Sequence, residues 1–380
     1  MSETVSSNQV HAMIRKARKD YPSRAEADEM IRRILQTGER RPVKIFGLRG
    51  SQDFAKKVAG HLEMDLTPHI EKTFDDDECY IKPADGDIGN VRGHRVFVIQ
   101  SLYSDAHERV ADKFMKLCVM CGALKHASAY EVIPVIPHLA WARQDRKTES
   151  RAPITTKIVA RMLEATGIAR VLLMDVHNLA AEQNAFDVPM DNLESQILHA
   201  KWCAAALQHR TERKGVSVLS PDSGGVNRAT RFRNILARIL GVRNHEIDVV
   251  IFDKVRDPKT GKTSGGRIIG DVKDKEVIAV DDMISTAGTM AKAGAAVPKF
   301  GGQLSAVCAT HGLFVGNANE KISQLGCPIV VADSVDPWRL TPKNAEKVIV
   351  LDTSAMFADA IWRIHTETGS ISKLLELEKD

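Results

Sequence analysis

The sequence predicts an α/β protein with two related domains, each a mostly parallel sheet flanked by helices. Three observations carry that expectation. Short apolar runs recur along the chain and alternate with longer segments whose apolar residues keep helical spacing. Strands that alternate with helices need crossover connections, so the sheets should be parallel and covered on both faces. A length of 380 residues also exceeds the usual size of one domain.

Taken in order, residues 1–41 are polar and charge-dense, with weak helical periodicity around 25–35. They are expected to form a helical, partly disordered extension. Residues 43–48 give the first strand. Ser51 then caps a helix in which Phe54, Ala55, Val58, Ala59 and Leu62 share a face. A strand at 95–100, a helix at 110–125 and a strand at 132–136 follow. Pro153 is expected at the first position of a helix over 154–167. The next strand, 171–174, ends at Asp175 and His177. The second half repeats the alternation. Strands are expected at 216–219, 249–252, 277–280, 304–309, 329–332 and 348–351. Helices are expected at 193–209, 226–240, 289–299 and 354–365. Both halves carry a strand closing on a histidine, His138 and His311, which hints at duplication. The domains are expected at 42–192 and 193–353.

Composition narrows the function. A hydrophobic fraction of 43% with 27% charged residues excludes wholesale disorder, collagen and disulfide-rich mini-scaffolds. No apolar stretch approaches the ~18 residues of a membrane span. A net charge of +4 is too mild to argue for nucleic acid, although local basic patches suit phosphorylated small molecules. The six cysteines lie scattered in apolar runs and read as reduced core thiols of a cytoplasmic protein. Cys118 and Cys121 form a lone C-x-x-C inside a helical pattern, without a second pair at zinc spacing. The N-terminus lacks the apolar core of a secretory signal. Residues 254–267, KVRDPKTGKTSGGR, have no apolar periodicity and are expected to form a long basic loop suited to cover phosphates.

The densest chemistry lies at residues 277–289, VIAVDDMISTAGT. A four-residue apolar strand runs into two adjacent carboxylates, Asp281 and Asp282. A loop of small and hydroxyl residues follows and opens a helix near Thr289. Open α/β sheets bind ligands beyond the carboxyl ends of their strands. A loop entering a helix offers unpaired N–H groups to an anion. Thr286 and Thr289 add hydroxyl donors, and Gly288 permits close backbone approach. The carboxylates would repel a phosphate, so they suit neutral hydroxyls or a bridging cation. A sugar phosphate meets both needs.

This segment resembles the phosphoribosyl-diphosphate (PRPP) binding loop of type I phosphoribosyltransferases and PRPP synthetases. Other segments favour the synthetases. Residues 74–78 (FDDDE) resemble their ATP-contacting loop, and 142–147 (ARQDRK) with 150–155 (SRAPIT) their adenine-side motif. Residues 174–177 (MDVH), 186–193 (FDVPMDNL), 220–225 (SPDSGG), 253–256 (DKVR) and 269–272 (IGDV) follow in the family's order. The resemblance implies two phosphoribosyltransferase-like domains, the first on the ATP side and rejoined by residues 354–380, the second on the ribose 5-phosphate side. It implies transfer of the β,γ-diphosphoryl group of ATP to the C1 hydroxyl of ribose 5-phosphate, by a homo-oligomer that is hexameric or built from dimers.

Residue roles follow from the same resemblance. Lys254 and Arg256 are the expected catalytic cations, a compact charge and a planar fork that can follow changing phosphate geometry. Phe74, Asp76, Asp77, Glu78, Arg143 and Gln144 are expected at ATP. Asp281, Asp282, Ser285, Thr286, Ala287, Gly288 and Thr289 are expected at ribose 5-phosphate, and His177 and Asp222 at Mg²⁺. Two positions depart from the family: Asp77 replaces a glycine, and Ser285 replaces an aspartate. A non-catalytic regulatory homologue should have lost part of the set Lys254, Arg256, His177, Asp281 and Asp282, and all are present. A base phosphoribosyltransferase would account for VDDMISTAGT but not for ARQDR and MDVH in a second α/β half.

Overall fold

A computed structural model describes residues 41–208, 215–253 and 266–375. They divide into two compact units. The first takes the described residues of Met1–Leu173 together with Asn178–Leu193 and Ser354–Glu376, and the second takes Met174–His177 and Glu194–Thr353.

Along the first unit run β1 (Val43–Gly47), α1 (Gln52–His61), β2 (His69–Thr73), β3 (Cys79–Pro83), β4 (Arg95–Ile99), α2 (Val110–His126), β5 (Glu131–Ile136), α3 (Thr155–Glu164), β6 (Val171–Met174), α4 (Leu179–Ala185) and β7 (Met190–Leu193). The sheet order is β1-β4-β5-β6-β7. Strands β1, β4, β5 and β6 pair in parallel, as continuous apolar runs such as RVFVI require. Strands β2 and β3 form a separate antiparallel hairpin. It was not expected, because HIEKT carries too many charges for a half-buried strand. Its Glu71 is instead paired: Lys116 of α2 sits between Glu71 and Glu108, and His69 lies 2.8 Å from the Glu71 carboxylate. Pro153 lies before the N-cap Ile154, not at the first helical position, because Ile154 is itself non-helical (φ −98°, ψ 86°). Cys118 and Cys121 fall on α2, and all six cysteines are free thiols. Burial pushes Cys118 up to about 11 and Cys121 higher still, so neither is a reactive thiolate.

The second unit continues with α5 (Gln196–Gln208), β8 (Gly215–Ser220), α6 (Val226–Leu240), β9 (Ile247–Asp253), β10 (Arg267–Ile269), β11 (Lys275–Ile284), α7 (Gly288–Ala296), β12 (Gln303–Gly312), α8 (Ala318–Ser323), β13 (Ile329–Ala332), α9 (Pro342–Ala345) and β14 (Val348–Leu351). The order is β10-β9-β8-β11-β12-β13-β14, parallel except for the antiparallel edge strand β10. Alternate strand residues feed two cores. Ile278, Val280, Ala306 and Cys308 pack with Ala200 and Cys203 of α5 and Phe232 and Leu236 of α6. Val277, Ala279, Val307 and Ala309 pack with Met290 and Ala293 of α7 and Ile322 of α8. The chain ends its second unit at Thr353 and returns to the first through α10 (Ser354–Thr366). There Phe357 meets Phe54 of α1 edge-on at 5.3 Å, and Arg95 donates to the carbonyls of Ile364 and His365.

Candidate active site

The helix after β8 packs on one face of the sheet and the helix after β11 on the other. Neighbouring strands whose connections leave in opposite directions open a crevice at their carboxyl ends, where ligands of such sheets bind. Pairing between β8 and β11 stops at Leu219 and Ala279, whereas β11 stays paired with β12 as far as Ile284. The strand is therefore longer than the four apolar residues predicted. Asp281 and Asp282 lie inside it, on an edge that β8 has already left. Arg228, from the first turn of α6, reaches into that edge. Its guanidinium lies 3.0 Å from Asp281 Oδ1 and 3.5 Å from Asp282 Oδ1.

His177 completes the cluster, with Nδ1 2.6 Å from Asp282 Oδ2. Its side chain is 38% exposed, against 4% for Asp282. The two carboxyls have diverged. Burial and the neighbouring Asp282 charge push Asp281 up to about 7. Burial also works against Asp282, but the His177 hydrogen bond and the Arg228 charge overcome it and hold that carboxyl well below its usual range.

His177 is placed by its neighbour Asp175, a non-glycine residue in the left-handed region (φ 41°). The Asp175 carboxylate accepts from Ser195 N at 2.8 Å, Ser195 Oγ at 2.6 Å and Thr310 Oγ1 at 2.7 Å. Three donors fix the loop against a local strain of the kind found at functional sites. His311 bonds the Asp175 carbonyl at 3.3 Å, and burial lowers its basicity.

The hydroxyl-rich loop follows directly from β11. Ser285 and Thr289 are half-buried, Thr286 is exposed and Ala287 is buried. Ala287 caps α7 from the left-handed region (φ 56°), so the helix begins at Gly288, one residue earlier than expected. A methyl on Gly288 would lie 3.3 Å from Lys321 Nζ. Lys321, on α8, donates to Thr286 O at 3.1 Å and Asn317 Oδ1 at 2.7 Å. The loop thus carries a cation that the sequence did not reveal. Arg228 was missed as well, although its place just after SPDSGG was a usable signal. Asp222 folds its own turn: Oδ1 accepts from Gly224 N and Gly225 N at 3.1 and 3.2 Å.

In the first unit, residues 74–78 form the β2–β3 turn. Phe74 N donates to Glu78 O, and Asp77 N to Phe74 O. Asp77 sits at φ 67°, a conformation natural for glycine and tolerated by aspartate. Phe74 is 51% exposed and stacks edge-on against Tyr80. Arg143 and Gln144 are exposed after β5, where Gln144 accepts from the Thr155 hydroxyl. Lys254 and Arg256 lie outside the described residues. Among the described residues no group of three or more His, Cys, Asp or Glu is arranged to hold a metal ion by itself.

Comparison with known proteins identifies the family. Residues 43–167 match the N-terminal domain of ribose phosphate pyrophosphokinase, and residues 244–376 match the phosphoribosyl synthetase-associated domain. The ribose-phosphate pyrophosphokinase of Hyphomonas neptunium is 36% identical over 335 residues, covering 88% of this chain and 100% of that protein. Its counterpart from Caldanaerobacter subterraneus is 37% identical, covering 87% and 97%. The crystal structure of phosphoribosylpyrophosphate synthetase from Mycobacterium smegmatis superimposes with a TM-score of 0.73 at 27% identity, over 86% of this chain and all of that one. Fold and relatives converge: this chain belongs to the ribose-phosphate pyrophosphokinase family.

Proposed function

We propose that this chain transfers the β,γ-diphosphoryl group of ATP to the C1 hydroxyl of ribose 5-phosphate, giving PRPP and AMP. The hydroxyl oxygen attacks the β-phosphorus. The bond from that phosphorus to the oxygen bridging the α- and β-phosphates breaks, AMP leaves, and the hydroxyl proton passes to solvent. The observation that carries this reading is the carboxylate pair at the end of β11 running directly into the hydroxyl-rich loop that opens α7. A sugar phosphate needs acceptors for its hydroxyls and donors for its phosphate, in that proximity.

Transfer of this kind rests on alignment and charge neutralisation more than on covalent help. In this reading the loop N–H groups and the hydroxyls of Ser285, Thr286 and Thr289 hold the 5-phosphate, with Ala287 and Gly288 shaping the turn. Asp281 and Asp282 face the ribose end. Phe74, Asp76, Asp77, Glu78, Arg143 and Gln144 hold ATP. Lys254 and Arg256 neutralise the transferring phosphates. Mg²⁺, when bound, would offset phosphate charge, with His177 and Asp222 as its protein contacts. We assign residues 42–192 with 354–380 to ATP and 193–353 to the sugar phosphate, and we expect a cytoplasmic homo-oligomer. The test is incubation of purified protein with ATP, Mg²⁺ and ribose 5-phosphate. AMP should appear only when the sugar is present, one per PRPP. ADP instead would mean single-phosphoryl transfer and overturn the reading.

A further inference from the structure

Three successive carbonyls of the hydroxyl-rich loop are held by the segment that follows β12. Ile284 O accepts from Leu313 N at 2.9 Å and Phe314 N at 3.1 Å, and Ser285 O accepts from Val315 N at 2.9 Å. Thr286 O accepts from Lys321 Nζ at 3.1 Å. The first two carbonyls take backbone donors, and the third takes a charged side chain. A neutral donor would hold that carbonyl as well, so the latch alone does not account for the charge. Asn317 Oδ1 takes a second donor of the ammonium at 2.7 Å. An ammonium carries three donors. Among the described residues no carboxylate pairs with Lys321, and no acceptor takes its third donor.

The place of that charge is informative. The point that a Cβ on Gly288 would occupy lies 3.3 Å from Lys321 Nζ and 3.6 Å from Thr286 Oγ1. Glycine has no side chain there, so a ligand atom can approach between an ammonium and a hydroxyl. We propose that Lys321 is a further binding residue for the phosphate of the sugar phosphate: one donor fixes the Thr286 carbonyl, and another goes to a phosphate oxygen beside Gly288. This rests on the sugar-phosphate reading above and deepens it. Hydroxyls and N–H groups supply partial charges, whereas a lysine adds a compact full one. Lys321 thereby sets the preference of the loop for a dianionic phosphate over an uncharged sugar.

The test uses the full chain, with initial rates of PRPP formation at saturating Mg²⁺–ATP and varied ribose 5-phosphate. Lys321→Gln keeps a donor for the Thr286 carbonyl and removes the charge. Its KM for ribose 5-phosphate should rise roughly tenfold or more at low ionic strength. That rise should shrink as added salt screens the charges. Its kcat should stay within about twofold, because a phosphate remote from the reacting C1 hydroxyl is gripped equally before and during transfer. Lys321→Arg keeps the charge and should recover most of the loss. A second measurement needs no variant. In wild-type protein, ribose 5-phosphate should slow acetylation of Lys321 by acetic anhydride, read by mass spectrometry, and ribose should not. A wild-type KM in Lys321→Gln, or no protection by ribose 5-phosphate, would overturn the proposal. Equal, salt-independent losses of kcat in the Gln and Arg variants would reduce Lys321 to a structural latch and overturn it too. A wild-type protein that forms no PRPP would refute the functional reading beneath, and this assignment with it.

Discussion

Two charge clusters, one in each unit, each combine two carboxylates, a basic side chain and a histidine, and they differ in balance. In the first unit, Lys116 is shared by Glu71 and Glu108, with His69 and the Arg49 N–H also on Glu71 at 2.8 Å each. Burial alone would raise Glu71. The bonds from His69 and Arg49 and the Lys116 charge reverse that and lower it. Asp105 behaves likewise beside Lys113. Protein partners thus favour the ionised form of both Glu71 and Asp105. In the second unit one guanidinium serves two adjacent carboxylates, and Asp281 is pushed up while Asp282 is pushed down. Acids that their partners lower support a fold while they are ionised. A cluster that leaves a member unsettled is ready for a ligand.

Removing the shared cation should break the first cluster outright. Lys116→Met leaves two buried carboxylates without their counter-charge, and the loss of one partner of a buried pair costs about 3–5 kcal/mol. Denaturant unfolding followed by a probe in the first unit should show that loss, and a value under 1 kcal/mol would mean the pair is solvated. The second cluster should respond in the opposite sense. Asp281→Asn relieves repulsion, so stability should hold or rise while ribose 5-phosphate affinity falls roughly tenfold or more, as expected for hydrogen bonds involving a charged group. Calorimetry with a parallel melting curve separates the two effects.

The pH dependence sharpens the contrast further. Glu71 is lowered on folding, so its stabilisation is present above the ordinary carboxylate range and is lost as pH falls through its folded value. Asp281 is raised, so its contribution is complete below the ordinary value of 3.8 and is lost as pH rises through about 7. In substrate-free protein, Glu71→Gln should flatten the acid limb of the stability profile, and Asp281→Asn the neutral limb. Profiles that do not move would show both groups to be thermodynamically silent. The smallest effect belongs to Asp77→Gly at the hairpin turn. Relief of the left-handed φ and the added freedom of the unfolded chain oppose each other, leaving a shift within about 0.5 kcal/mol. A larger change in melting temperature would reveal a contact of the aspartate itself.

Apolar periodicity made the alternation of strands and helices legible almost throughout. Strands at 329–332 and 348–351 and the helix at 226–240 match their expected bounds. Where apolar spacing was absent, the reading failed. The β2–β3 hairpin is tied to a distant helix by the Glu71–Lys116 ion pair, and α4, LAAEQNA, is only two turns long. The site divided along the same line. Asp281, Asp282 and the hydroxyl loop stand together in the sequence and could be read as one unit. Arg228 and Lys321 approach from other helices, 53 and 35 residues from the groups they bond, and a contact at that separation leaves no local pattern. Strand length was misjudged because Asp281 and Asp282 break the apolar run while the backbone ladder with β12 continues beneath them.

The return of α10 to the first unit sets an order of events during synthesis. Residues 43–193 emerge from the ribosome well before Ser354–Thr366 does. Until then the carbonyl partners of Arg95 and the ring that covers Phe54 do not yet exist. The second unit meanwhile has its whole sheet, since β14 ends at Leu351. Domains usually complete themselves in the order they are made. Here the earlier-born one must wait for the later, holding an unfinished apolar surface that is a natural client for a chaperone. A nonsense codon just after Thr353 should therefore damage the half of the protein that was translated first.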